Sequence, residues 1–191
     1  MPRLVGIRTD RLLLRVFAPA ELLALREGDA QFTAMTQLVP ADGLRAFLVS
    51  DEVSLAWLER LRTSIEGDPW EHGFGMVEGT GGPIVGTGGF KGPPNPDGVV
   101  EIAYAVVPSR QGRGYATEAA LALVEFASLD ARVSRIRAHT LPAQNASTSV
   151  LTKCGFEHVG AVEDPEDGLV WRWERDPDVR ARASARPTVT T

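Results

Sequence analysis

The sequence predicts one α/β domain, in which helices cover both faces of a mixed sheet. Three groups of elements support this prediction. A strand pattern at 99–107 leads through a glycine-rich turn into a helical pattern and a second strand pattern, which is the order of a βαβ unit. Two strand patterns at 74–78 and 84–90 are joined by a turn, and a short helical pattern at 147–153 precedes two more strand patterns. Strands that alternate with helices are typical of α/β domains.

The first third of the chain predicts a strand, a helix, a loop and a second helix. Residues 9–16 enclose a short apolar run that suits a strand. Pro19 suits the first turn of a helix, because the N–H that proline lacks would have no partner there. Ser50 or Asp51 is a suitable N-cap for the second helix, and apolar residues recur at helical spacing over 53–65. The segment between the two helices is therefore predicted to be a loop.

The βαβ unit begins with the strand 99–107, which ends before Pro108. Its helix is predicted at 116–129 and its second strand at 135–140. A right-handed connection makes the two strands parallel, so the turn before the helix lies at their carboxyl ends. Four side chains of the helix are expected to face the core: Ala120, Leu121, Leu123 and Val124.

The last third predicts the short helix at 147–153 and two strands, at 156–162 and 169–173, on either side of an acidic loop, 163–167. The following residues are rich in Arg, Ala, Pro and Thr, a composition that does not favour a packed core. The sequence shows no internal repeat and no second domain. We therefore expect one domain over 1–175 and a mobile tail over 176–191.

The composition of the 191-residue chain excludes several classes of protein. Its net charge is −5, whereas nucleic-acid binding depends on clustered Lys and Arg. Cys154 is the only cysteine, and the three histidines lie far apart without metal-ligand spacing. No window approaches about 18 consecutive apolar residues, and charges interrupt the apolar N-terminus. We therefore expect a cytoplasmic protein that binds no nucleic acid, no membrane and no metal.

Residues 110–117 follow a strand and open a helix, so backbone N–H groups converge where the helix dipole favours an anion. Gly112 and Gly114 allow a close approach of the backbone, and Arg113 adds a cation. The segment predicts a phosphate or pyrophosphate site, and the alternative is an ordinary turn that needs glycine. A dinucleotide-binding G-x-G-x-x-G would need glycine at Thr117, and the Gly-Lys-Ser/Thr of a P-loop is absent.

Three segments, in this order along the chain, resemble GNAT acetyltransferases. The opening 9–15 resembles the start of the branch that contains the ribosomal-protein N-terminal acetyltransferases. Gln111-x-x-Gly114-x-Ala116 resembles the Q/R-x-x-G-x-G/A loop that holds the pyrophosphate of acetyl-CoA. Segment 145–156, which begins with Asn-Ala-Ser and ends with Gly-Phe, resembles the second family signature. The resemblance implies a mixed, mostly antiparallel sheet with a central parallel strand pair that splays.

The resemblance also implies which residues contact acetyl-CoA. Pantetheine and the thioester would border the strand at 104–106, and the pyrophosphate would bind the loop. The family's Asn often lies one residue further from Gly-Phe, where this chain has Gln144, so Gln144 is the alternative to Asn145. The implied set is Tyr104, Ala105, Val106, Gln111, Gly112, Arg113, Gly114, Tyr115, Ala116, Thr117 and Asn145.

Glu101 is the candidate general base. The attacking amine, with a pKa near about 10, must lose a proton before it attacks the thioester, and a desolvated carboxylate or a water chain can accept that proton. Glu101 lies on the strand that leads to the glycine loop, where the family often has a carboxylate. The alternatives are a half-exposed strand residue and an ion pair with an arginine.

Ser147 is the candidate donor to the departing thiolate. It matches the serine of the second family signature, and the alternative role is a helix N-cap. The tyrosine that many relatives place on this short helix is absent. Cys154 is either an acetyl carrier or a buried structural cysteine, and we expect direct transfer without a carrier. His139 is either a proton relay or an ordinary strand residue.

The sequence therefore predicts an N-acetyltransferase that moves the acetyl group of acetyl-CoA directly to a primary amine in a ternary complex. The acceptor, a small molecule or a peptide N-terminus, is expected between the helices within 19–65 and the acidic loop, whose charge attracts cations. A solvated turn is the alternative role of that loop. Two other classes are a CoA-binding regulatory module without activity and a nucleotide-binding domain of another kind. The acceptor and the oligomeric state stay open, a homodimer being one arrangement.

Overall fold

The computed structural model describes residues 6–50, 53–165 and 167–178. Within these ranges the chain forms eight strands, six α-helices and one short 3-10 helix, Pro108–Arg110. The strands are β1 (Gly6–Arg8), β2 (Leu12–Arg15), β3 (Phe74–Glu78), β4 (Ile84–Phe90), β5 (Val99–Val106), β6 (Arg135–Thr140), β7 (Glu157–Asp164) and β8 (Gly168–Arg175). The helices are α1 (Pro19–Glu27), α2 (Asp29–Thr36), α3 (Leu44–Leu48), α4 (Leu55–Thr63), α5 (Tyr115–Leu129) and α6 (Ala146–Lys153).

All eight strands lie in one sheet, in the order β1-β2-β3-β4-β5-β6-β8-β7. Each neighbouring pair is antiparallel except β5 and β6, which are parallel because α5 connects them. Met76 and Val77 are neighbours on β3 and belong to opposite faces: Met76 packs in the cluster that contains α5, and Val77 in the cluster of the early helices. The predicted fold class, a mixed and mostly antiparallel sheet with helices on both faces, is confirmed.

The parallel pair separates along its length. Within the described part of the chain, β5 pairs with β6 at residues 99–101, opposite residues 135–137. Beyond Glu101, β5 continues beside β4 to Val106, and β6 continues beside β8 to Thr140. The predicted splay of the central pair is therefore confirmed, and the sheet opens at Glu101.

Helix α5 presents most of the predicted side chains to the core. Ala120, Leu123 and Val124 are buried, as expected, but Leu121 is 43 % exposed. The buried face of the helix follows the positions 119, 120, 123, 124 and 127. Leu121 lies off this stripe because one residue corresponds to about 100° of helix rotation. The prediction that Leu121 packs inward was wrong.

The first third contains more structure than the sequence predicted. Residues expected to form a loop form α2 and α3, and an additional strand, β1, pairs with β2. The backbone of Gly28 is extended, so α1 ends there and α2 starts as a separate helix. Helix α2 buries Phe32, whose ring packs edge-on against Phe17 at a centroid distance of 5.4 Å. One buried residue leaves no periodic stripe in the sequence, so a tertiary contact stabilises this helix.

Helix α4 begins at Leu55 with Ser54 at its N-cap, so the predicted cap at Ser50 was wrong. Ser50 instead follows α3, where its hydroxyl donates to the carbonyl of Phe47 (2.7 Å). Asp51, the alternative cap, lies outside the described residues. Cap positions depend on which residue starts the helix, and that choice shifts easily by a few residues.

The last described residues contact the domain. Arg135 Nη1 lies 2.6 Å from Asp176 Oδ1, and the N–H of Asp178 donates to Ser128 Oγ (2.8 Å). The rest of the predicted mobile tail, residues 179–191, lies outside the described residues. Among the residues that the structure describes, no helix has the length and apolar character needed to cross a membrane.

Candidate active site

The loop between β5 and α5 presents unpaired backbone donors. Gly112 and Gly114 have positive φ values of +73° and +82°, and α5 then starts at Tyr115. No acceptor in the described ranges takes a hydrogen bond from the N–H groups of residues 112–117. These donors lie at the N-terminus of α5, where the helix dipole favours negative charge. The loop therefore suits a phosphate or pyrophosphate group.

A cleft of about 790 Å³ runs along this loop, and we call it the glycine-loop cleft. Its walls are the end of β5, the loop itself with the start of α5, α3 and one face of α6. The predicted site residues that line it are Tyr104, Ala105, Val106, Gln111, Gly112, Gly114, Tyr115, Ala116, Thr117 and Ser147. The side-chain amide of Gln111 also donates to the Val106 carbonyl (2.9 Å), which ties the loop to β5. The fold thus brings most of the predicted cofactor-binding residues together.

Arg113 and Asn145 are not among the residues that line this cleft. The side chain of Arg113 is exposed. Asn145 is the N-cap of α6, where its side-chain oxygen accepts the N–H of Thr148 (3.0 Å). Gln144 accepts the hydroxyl of the same threonine (3.1 Å). The alternative in which Ser147 caps this helix was therefore wrong, and cofactor contacts by Arg113 and Asn145 stay predictions.

Arg11 and Glu118 hold the loop from outside. Arg11 donates through Nη1 to the Arg113 carbonyl (2.7 Å) and through Nε to Glu118 (2.8 Å). Glu118, in the first turn of α5, also accepts from the hydroxyl of Thr9 (2.6 Å). Burial by itself raises the pKa of Glu118, but the hydrogen bonds from Thr9 and Arg11 and the Arg11 charge outweigh burial and lower it. Sequence reasoning missed this contact because the two partners are 107 residues apart.

Replacing Glu118 by glutamine is expected to lower the free energy of unfolding by about 1–2 kcal/mol at pH 7, because hydrogen bonds to a charged carboxylate weaken. A carboxylate whose pKa is lowered by folding stabilises the fold above its unfolded-state pKa, and the contribution disappears as the pH falls through the folded-state pKa. The difference in the free energy of unfolding between wild type and Glu118→Gln should therefore be largest at pH 7 and decrease below about pH 4.5. Urea unfolding at a series of pH values measures it. Glu125→Gln, at an exposed position of the same helix, is the control, and a pH-independent difference for Glu118→Gln would contradict the prediction.

A second pocket, of about 560 Å³, adjoins the cleft, and we call it the Glu101 pocket. It lies between the early helices and the start of the acidic loop, where Asp164 lines it. Phe47, Tyr104 and Ala105 line both the cleft and this pocket. The two spaces therefore meet at the end of β5, and the second one occupies the region in which the sequence predicted the acceptor.

Glu101 lies where β5 and β6 separate, in contact with two nitrogen-bearing side chains. Its carboxylate is 2.9 Å from Lys91 Nζ and 3.1 Å from His139 Nδ1. Asp164 Oδ2 lies 3.8 Å from the same nitrogen of His139. Burial lowers the pKa of Lys91, but the hydrogen bond to Glu101 and the charges of Glu101, Asp164 and Asp167 raise it overall, so Lys91 is an ammonium at neutral pH. The ion pair considered for Glu101 is therefore made with Lys91 and not with an arginine.

Tyr104 lies at the junction of the two spaces. Its hydroxyl donates to the Ser147 carbonyl at the start of α6 over a long distance, 3.5 Å. Burial raises the pKa of Tyr104, so the phenol keeps its proton at neutral pH. The junction thus contains a protonated hydroxyl beside the first turn of α6.

Cys154 lies at the end of α6 and is buried. Burial raises the pKa of its thiol, and its Sγ donates to the Thr117 carbonyl (3.6 Å). A thiol that stays protonated is a weak nucleophile. These properties favour the structural alternative for Cys154 over an acetyl carrier.

Residues 11–157 match the family model of the GNAT acetyltransferase domain. The uncharacterized N-acetyltransferase YjdG of Bacillus subtilis is 40 % identical to this chain over 73 residues, which are 38 % of this chain and 44 % of that protein. The chain thus spans less than half the length of the curated relatives it matches.

Two solved acetyltransferases, both in complex with coenzyme A, share the fold. RimL, a ribosomal alpha-N-protein acetyltransferase, superimposes with a TM-score of 0.62 at 18 % identity, over 91 % of this chain and 99 % of that chain. The aminoglycoside acetyltransferase AAC(6')-Ib superimposes with a TM-score of 0.56 at 19 % identity, over 92 % of this chain and 99 % of that chain. The match to the family model includes β5, the glycine loop and α6, and the chain therefore belongs to the GNAT family of acetyltransferases.

Proposed function

We propose that this protein transfers the acetyl group of acetyl-CoA directly to a primary amine, on a small molecule or at a peptide N-terminus. The observation that carries this proposal is the junction of the glycine-loop cleft and the Glu101 pocket at Tyr104 and Ala105. A thioester that enters from the cleft and an amine that enters from the pocket would meet at this junction. Both substrates would be bound together, so the transfer needs no covalent acetyl-enzyme.

Acetyl-CoA suits the glycine-loop cleft for two reasons. The unpaired N–H groups of residues 112–117 and the dipole of α5 suit its pyrophosphate. Beyond Glu101, β6 no longer pairs with β5 within the described residues, so the backbone of β5 on that side is available to the pantetheine amides and to the oxyanion of the tetrahedral intermediate. The coenzyme A bound to RimL and to AAC(6')-Ib supports the same ligand here.

Glu101 is the proposed acceptor of the amine proton, directly or through one water. The Lys91 ammonium and His139 hold the carboxylate at the wall of the pocket. Asp164 adds a second negative charge to the same wall. The Lys91 ammonium lines the same pocket and compensates one of these two negative charges, so the three groups keep one net negative charge. This charge attracts a protonated amine, which can lose its proton before it attacks the thioester.

The departing thiolate needs a hydrogen-bond donor but does not need that donor to transfer its proton. The pKa of a thiol, about 8.5, is below that of a tyrosine whose pKa is raised by burial. A complete proton transfer from Tyr104 to the thiolate is therefore uphill, and we assign hydrogen-bond donation to the hydroxyls of Ser147 and Tyr104. The single phenolic hydrogen of Tyr104 would leave its long bond to the Ser147 carbonyl (3.5 Å) to donate to the thiolate. The thiolate can take its proton from the nitrogen of the tetrahedral intermediate, which must lose one to become an amide.

Acetyl-CoA at one hundred times its Kd is expected to raise the free energy of unfolding by about 2.7 kcal/mol, whereas NAD is expected to give no protection. The reason is that the loop offers donors to a pyrophosphate without the dinucleotide fingerprint. Thermal unfolding with each ligand measures the protection, and release of CoA thiol with a panel of amines and peptides measures the transfer. Equal protection by NAD, or none by acetyl-CoA, would contradict the cofactor. Protection without thiol release from any amine would indicate a CoA-binding regulatory module.

The same fold serves acceptors of different kinds, since the two solved proteins are named for a ribosomal protein and for an aminoglycoside. The choice of acceptor therefore depends on the side chains of the Glu101 pocket. The domain limits, the cytoplasmic location and the homodimer stay predictions.

A further inference from the structure

His72 lines the Glu101 pocket with one ring nitrogen paired and the other unpaired. The residue is 7 % exposed, and its Nδ1 accepts the backbone N–H of Asp68 (2.9 Å). A neutral imidazole that accepts at Nδ1 carries its hydrogen on Nε2, so Nε2 is a donor. Over the described residues, no acceptor pairs with this buried nitrogen. A buried donor without a partner is unfavourable unless a ligand or a water pairs with it.

The turn before β3 holds the ring in place. The Asp68 carboxylate accepts the N–H of Glu71 (3.2 Å), and the Asp68 carbonyl accepts the N–H of His72 (2.8 Å). The next residue, Gly73, packs so closely on β4 that a Cβ would lie 2.8 Å from the Gly88 carbonyl. The position of His72 Nε2 is therefore set before any ligand binds.

Two carboxylates and the Lys91 ammonium share the pocket with this donor. Glu101 and Asp164 line the same pocket as His72. Strand β3, which follows His72, is separated from β5 by β4 alone, so His72 and Glu101 stand two strand spacings apart, about 10 Å between backbones. A ligand can therefore direct a nitrogen to the carboxylates and an oxygen to the imidazole.

We infer that His72 binds the acceptor of the proposed reaction by donating its Nε2–H to an oxygen close to the amino group. This inference rests on the proposed function. The ligand class is an amine with a carbonyl or hydroxyl oxygen on the neighbouring carbon, as in an amino-acid amide. A simple alkylamine has no such oxygen and leaves the His72 donor unpaired.

Two substitutions test the roles of the two ring nitrogens of His72 separately. His72→Asn keeps an acceptor near the position of Nδ1 and removes the donor. His72→Gln keeps an amide N–H near the position of Nε2 and removes the acceptor for Asp68. The probes are alaninamide and isopropylamine, which share a branched carbon skeleton and differ in that alaninamide has a carboxamide where isopropylamine has a methyl group. For each probe, the ratio of variant to wild type cancels the difference between the two amines in basicity.

His72→Asn is expected to lower kcat/KM for alaninamide by about 3- to 10-fold, because KM rises while kcat stays the same. The kcat/KM for isopropylamine and the thermal midpoint of the protein are expected to stay unchanged. His72→Gln is expected to keep the KM for alaninamide and to lower the thermal midpoint, because the Asp68 N–H loses its partner. Equal losses for both probes in His72→Asn, or no loss for alaninamide, would overturn the inference. A wild type that acetylates isopropylamine but not alaninamide would overturn it as well. A wild type that releases no thiol with any amine overturns the proposed function itself.

Discussion

Replacing Glu101 by glutamine is expected to lower the turnover number by about 10²- to 10⁴-fold at neutral pH, with the fold and the acetyl-CoA affinity retained. Glutamine has nearly the same shape but cannot accept the proton of the attacking amine. Raising the pH toward the pKa of the amine should recover part of the loss, because free amine then forms without a base. Steady-state release of CoA thiol, measured as a function of pH, gives both quantities.

Glu174→Gln is the matched control. The side chains of Glu101 and Glu174 are 18 % and 21 % exposed, and their carboxylates lie 2.9 Å from Lys91 and 2.8 Å from Arg137. Glu174 lines neither the glycine-loop cleft nor the Glu101 pocket. Its replacement therefore reports the cost of losing such an ion pair, with turnover unchanged. If Glu101→Gln lowers the turnover number by less than about threefold, Glu101 is a structural ion-pair partner and not the base. The same conclusion holds if the loss of turnover is explained by a matching loss of stability.

Gly112→Val is expected to weaken acetyl-CoA binding by about 100-fold. No protein atom lies within 4 Å of the Cβ that a substitution would add there, and the residue lines the glycine-loop cleft. The new side chain would hinder the approach of phosphate to the N–H groups of residues 112–117. Hydrogen bonds to charged groups contribute about 1.5–3 kcal/mol each, so the loss of one or two accounts for the effect. Gly114 is a less selective site, because a Cβ there would also lie 3.2 Å from Arg11 Nη2.

Gly168→Val is the control for backbone strain. Gly168 has a φ of +71°, close to the +73° of Gly112, and a Cβ would again meet no atom within 4 Å. It lies at the start of β8 and lines neither the cleft nor the Glu101 pocket. Both variants should lose similar stability, about 1–2 kcal/mol, because a left-handed backbone disfavours side chains. Titration calorimetry beside thermal unfolding compares them, and equal acetyl-CoA affinities would show that the loop is only a turn.

The glycine loop could be predicted because its determinants are local. A strand that ends at Val106, two glycines with left-handed backbones and a helix that starts at Tyr115 lie within about ten residues, where backbone preferences act directly. Helix α2 could not be predicted in the same way. It buries one residue, Phe32, and its stability comes from a partner elsewhere in the chain.

Position on a helix was also harder to predict than the presence of the helix. Helix α6 exists where the sequence placed it, but its cap is Asn145, which shifts Ser147 from the cap into the first turn and to the wall of the cleft. Leu121 shows the same effect on α5, where one residue of rotation moves a side chain from core to solvent. Small differences in phase along a helix decide which side chains reach the site.

The sequence by itself determined the family and the loop suited to pyrophosphate, because both depend on short segments of residues. The tertiary structure decided which side chains line the Glu101 pocket. The strand order brings β3, β4 and β5 side by side and lets β6 leave β5 at Glu101. That order places His72 on one wall, and the carboxylate of Glu101, paired with Lys91 and His139, on another. Pairings between strands far apart in the chain depend on packing of the whole sheet, which local backbone preferences do not encode.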